Sequence, residues 1–119
     1  MKLTAKAVRL LRRVQRHILA EPKRVDMSIW RLKKDETFGC PRRGFPTCGT
    51  VACIGGWTEE LYREKHPRSR KDAGEILGIS YDEKDDLFFD HRLMYTSNGQ
   101  TIAHARAVAA HIDRFIEKH

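Results

Sequence analysis

The 119-residue chain has no apolar run approaching the ~20 residues that span a bilayer as a helix. Its first residues, Met1-Lys2-Leu3-Thr4-Ala5-Lys6, lack the apolar stretch of a secretory leader. Cysteine is scarce and odd in number, three in all, which argues against the closed disulfide set of a secreted domain. Internal repeats and low-complexity tracts are missing, and no segment shows a convincing strand pattern. These absences point to a reduced, cytoplasmic, helical protein that touches no membrane.

What is present is a mixture of 40% hydrophobic and 33% charged residues, enough for one folded domain over residues 1–119. The formal charge of +7 is unevenly placed. Residues 1–47 carry 13 Lys/Arg against 4 Asp/Glu, a balance of +9, while residues 48–119 carry 10 against 12, a balance of −2. An electropositive first part followed by a nearly neutral remainder suggests a polyanion or an acidic protein surface as partner.

Hydrophobic periodicity predicts a compact all-α bundle of five or six helices with an irregular basic loop around residues 33–47. The first helix is expected from an N-cap at Thr4 to about Ala20, before Pro22. Leu3, Ala7, Leu10, Val14 and Ile18, widened by Leu11, form its apolar stripe. Lys2, Lys6, Arg9, Arg13 and Arg16 fall roughly 120° away, on a basic ridge.

Asp26 is expected to cap a short helix with Met27 and Trp30 facing inward. Thr50 is expected to cap the next, which places Cys53 in its first turn and points Ile54, Trp57 and Leu61 into the core before the chain reaches Pro67. Ser69 to Asp72 and Ser80 to Glu83 resemble capping boxes, the first opening a helix through Leu77 and ending at Gly78. A connector over 90–100 with a Ser97-Asn98-Gly99 turn leads to a last helix from Thr101, with Ala105, Val108, Ile112, Phe115 and Ile116 facing inward.

The densest chemistry lies in Cys48-Gly49-Thr50-Val51-Ala52-Cys53-Ile54-Gly55-Gly56-Trp57. A helix start favours a thiolate at Cys53, with Arg42 and Arg43 able to add to it. However, His66, His91, His104 and His111 sit in no motif that would pair with a nucleophile. Cys40, Cys48 and Cys53, completed by His66 or His91, could instead hold zinc, but the usual C-x2-4-C knuckle is missing. The simplest reading is packing: a small apolar thiol, two glycines that admit a close neighbour, and a buried tryptophan.

Asp26-Met27-x-x-Trp30 and the Cys48 to Trp57 segment, with Ala73-x-x-x-Leu77-Gly78-Ile79 and Leu87-Phe88, resemble a group of small uncharacterised bacterial and bacteriophage proteins. Cys40 and the Arg42-Arg43-Gly44-Phe45 loop lie outside the shared pattern. Phage kinship implies a host-directed binding role, such as blocking a nuclease or defence complex.

Ala73 to Ser80 also sounds like the first half of a helix-turn-helix. The segment after it carries Asp82, Glu83, Asp85, Asp86 and Asp90 against Lys84, which DNA phosphates would repel. The same acidic stretch could mimic a nucleic acid.

The expectation is therefore a non-catalytic binding protein that engages a protein partner or nucleic acid through Lys6, Arg9, Arg13, Arg16, Lys33, Lys34, Arg42 and Arg43. Trp30, Phe38 and Phe45 are the candidates for base stacking. The alternative is a structural zinc or thiol protein built on Cys40, Cys48 and Cys53.

Overall fold

The computed structural model describes residues 3–27, 31–32, 51–90, 93 and 101–119. Over these residues the chain is a single-domain all-α bundle of five helices. They are α1 (Ala5–Ala20), α2 (Ile54–Lys65), α3 (Ala73–Leu77), α4 (Tyr81–Phe88) and α5 (Ile102–Lys118). The radius of gyration, 13.5 Å, is that of a compact chain of this length.

Helix α1 begins where capping chemistry dictates. The Thr4 hydroxyl accepts the Ala7 amide at 3.1 Å, and the helix stops at Ala20 before a single 3-10 turn, Pro22–Arg24. Its Ala7, Leu11, Val14 and Ile18 are buried, with Leu3 and Leu10 half-covered against the same core. They pack against α5, whose Ala105, Val108, Ile112 and Phe115 are also buried. Beside this seam the Gln15 amide donates to Ala109 O at 2.8 Å and to Asp113 at 2.9 Å, and Arg12 pairs with the same carboxylate. The two long helices are thus fixed in register by polar groups as well as by apolar burial.

Two expectations about element starts are corrected here. The residues before α2 are not helical: Val51–Ala52 is a short strand, β2, paired antiparallel with β1 (Arg31–Leu32), Arg31 opposite Ala52 and Leu32 opposite Val51. Ala52 also bridges in parallel to Val25, and its carbonyl accepts the Asp26 amide at 3.2 Å. The ladder holds residues 51 and 52 extended, so α2 starts at Ile54 and Cys53 is its N-cap instead of a first-turn residue. An all-helical reading had no room for strands two residues long, too short to show a period of two.

The second correction concerns α3. Its capping box is Asp72 with Glu75, both reciprocal bonds present, three residues later than the Ser69 start. Ser69 instead accepts the Lys71 amide at 3.3 Å in a local turn, and the Ala73 amide is taken by the buried Glu59 of α2 at 3.0 Å. Glutamate at the third helical position reaches back to the cap more readily than the shorter aspartate would. Gly78 closes α3 with φ 67°, a left-handed conformation that a side chain would strain.

The other helix starts fall as expected. Ser80 and Glu83 form the box that opens α4, and Thr101 caps α5 by accepting the His104 amide at 3.1 Å. Met27 is buried as anticipated. The short helix expected after Asp26 is overturned where it is described: Asp26 and Met27 are not helical, and Arg31 and Leu32 are drawn into β1 by pairing with Val51 and Ala52. Trp30 lies outside the described residues, as do the 33–47 loop, Thr50 and the Ser97-Asn98-Gly99 turn.

Candidate basic groove

The basic ridge of α1 does not face open solvent as an isolated stripe. It forms one wall of a groove of about 570 Å³. Lys6, Arg9, Arg13 and Arg16 come from α1, and Tyr62, Lys65 and His66 from the last turn of α2 and its cap. Lys71 and Ile76 close the end contributed by α3 and the connector before it, with Leu10 and Leu61 among the apolar lining. Six cations therefore converge on one concavity, and no carboxylate is among its described lining residues.

The arrangement follows from the helix register. Lys6, Arg9, Arg13 and Arg16 step by three or four residues, so they share a face that spans about 15 Å along the axis. Leu10 and Leu61 pack toward the core below them, which turns the cations of both helices to the same opening. On the opposite wall, Arg63 donates to the carbonyls of Ser69 and Lys71, both at 3.3 Å, and lies 3.9 Å from Glu59. These bonds fasten the 66–72 connector to α2 and place Lys71 on the groove.

Among the described residues only Arg13 of the six cations is paired, to Glu64, while it also donates to the Leu61 carbonyl at 3.2 Å. Lys6, Arg9, Arg16, Lys65 and Lys71 are exposed and make no ion pair with another described residue. Five like charges held together without a pairing carboxylate among the described residues raise the local potential and attract a polyanion. At the rim, the rings of Tyr62 and His66 stack at 4.3 Å with an interplanar angle of 25°.

Lys6, Arg9, Arg13 and Arg16 of the expected ridge are thus brought together, Lys2 lying outside the described residues, and Tyr62, Lys65, His66 and Lys71 are additions that sequence reading missed. Lys65 and His66 could have been noticed as cations or ring groups three and four residues after Tyr62. That they face α1 depends on how the helices cross, which periodicity within one helix does not reveal. Lys33, Lys34, Arg42, Arg43, Phe38 and Phe45 lie outside the described residues.

The thiol reading meets a different environment. Cys53 is buried among core side chains, with 2% of its surface exposed. Burial pushes its thiol up to about 11, and the amides of Gly55 and Gly56, which face the sulfur, offset only part of that. A group so protonated and sealed is a poor nucleophile and a poor metal ligand. Among the described residues, no three His, Cys, Asp or Glu side chains come together as a metal site. Cys40 and Cys48 lie outside the described residues.

Gly55, Gly56 and Trp57 are buried beside Cys53, as the packing reading expects. The Trp57 indole donates to Arg24 O at 2.8 Å, and its ring contacts that of His17 at 4.2 Å.

The acidic stretch on α4 is partly consumed within the fold. Asp86 lies 3.7 Å from the Lys118 ammonium, and Glu83 lies 3.2 Å from His119. Asp82 and Asp85 remain exposed. No helix among the described residues is long and apolar enough to cross a membrane.

Compared with protein-family models, with curated proteins and with solved structures, the chain matches none.

Proposed function

We propose that this chain is a non-catalytic nucleic-acid-binding protein that holds a phosphate backbone in the groove between α1, α2 and α3. The observation that carries the reading is the convergence of Lys6, Arg9, Arg13, Arg16, Lys65 and Lys71 on one concavity without an acidic lining residue. The span of the α1 cations, about 15 Å, matches the rise of roughly four nucleotides of a stacked strand.

The lining composition favours this ligand over an acidic protein surface. Protein-binding patches concentrate aromatic, methionine and arginine anchors at their centre and are depleted of lysine. Here Lys6, Lys65 and Lys71 line the groove beside the arginines. Phosphate tracking by flexible cations needs no apolar anchor. The α3–α4 pair is not the reading element, since α4 would bring Asp82 and Asp85 to the phosphates. Similarity of the Cys48 to Trp57 segment to small bacterial and bacteriophage proteins would put this binding in a phage or bacterial setting.

A mobility-shift titration with a labelled oligonucleotide at low salt tests the reading. Binding that weakens steeply with salt, and that Arg9→Glu with Arg16→Glu abolishes, is expected. Absence of binding at low salt would overturn it and assign the groove to an acidic protein partner.

A further inference from the structure

We infer that the groove takes single-stranded nucleic acid, and that the stacked Tyr62–His66 pair is the platform on which one of its bases rests. The inference builds on the phosphate-binding reading of the same groove. Tyr62 is half-buried in the last turn of α2, and His66, the C-cap residue one helical turn on, is exposed. The His66 amide donates to Tyr62 O at 3.1 Å, which fixes the backbone that presents both rings.

The 4.3 Å stack therefore has an anchored inner ring and an outer ring open to solvent, and both rings line the groove with the cations. A base laid on the free face of His66 would extend a π-stack already two rings deep, without selecting among bases.

Geometry separates strand types. A duplex keeps its bases paired inward, so it can offer the groove its phosphates but no unpaired base face to His66. A single strand can place its phosphates against Arg9 and Arg16 while turning a base toward His66, because no complementary strand holds that base inward.

Fluorescence anisotropy with a labelled single strand and a duplex of equal length, for the wild type, His66→Ala and His66→Phe, decides the matter. The wild type should favour the single strand by on the order of tenfold. His66→Ala should weaken single-strand binding by about as much, leave duplex binding within about twofold, and keep the salt slope. His66→Phe should retain the preference. A strand carrying 2-aminopurine gives a readout independent of affinity, since its emission should be quenched on the wild type and recover on His66→Ala.

Equal affinity of the wild type for both strand types, or no selective loss in His66→Ala, overturns the platform and leaves the groove reading standing. Failure of the wild type to bind either ligand at low salt overturns both.

Discussion

At the scale of single residues, Cys53 shows how placement decides chemistry. The same thiol one turn into an exposed helix start would be activated, whereas here burial raises its pKa from 9.0 to about 11. The folded chain thus holds this proton more tightly than the unfolded one. The associated stability is complete below about pH 9 and is lost as pH rises through about 11. Urea midpoints across this alkaline range should fall more steeply for the wild type than for Cys53→Ala. Site-resolved mass spectrometry after alkylation should also find native Cys53 labelled roughly a hundredfold more slowly than in the unfolded chain.

His17 gives the acid counterpart. Burial first, then the Arg24 charge, lowers its pKa below the ordinary 6.5, and its buried Nε2 has no hydrogen-bond partner among the described residues. A depressed histidine contributes stability above 6.5 that is lost as pH falls through its folded value. Unfolding of His17→Phe, which keeps a ring against Trp57, should therefore lose less stability than the wild type on acidification below that range.

At the scale of elements, starts and stops were legible wherever the deciding bond is local. Thr4, Ser80 and Thr101 cap within three residues of themselves, and Gly78 ends α3 through its own backbone angle. The start of α2 was not legible, because what holds Val51 and Ala52 extended is a ladder to Arg31 and Leu32, far away in sequence. The start of α3 falls later than the Ser69 pattern predicts because a second box at Asp72 overlaps the first, and Glu59, from another helix, helps decide between them. Urea denaturation separates the two boxes. Asp72→Ala should cost about 1 kcal/mol and Ser69→Ala at most a few tenths, with the reverse order restoring the Ser69 cap. Gly78→Ala should cost about 1–2 kcal/mol, since alanine resists the left-handed angle that this position requires.

At the scale of the whole molecule, the candidate site was half visible. The α1 ridge could be read from charge spacing, but the second wall is a product of tertiary packing, assembled by α2, the connector held through Arg63, and α3. Packing converts a basic stripe, which many soluble helices carry, into a concavity with cations on facing walls. The most direct test of that assembly is the salt dependence of oligonucleotide affinity. With about five phosphate contacts the log–log slope for a single strand should be about −3.5, and neutralising Lys65 and Lys71 on the far wall should flatten it by about 1.4. A wild-type slope near zero, or a slope unchanged when Lys65 and Lys71 are both replaced by alanine, would contradict a two-walled phosphate groove.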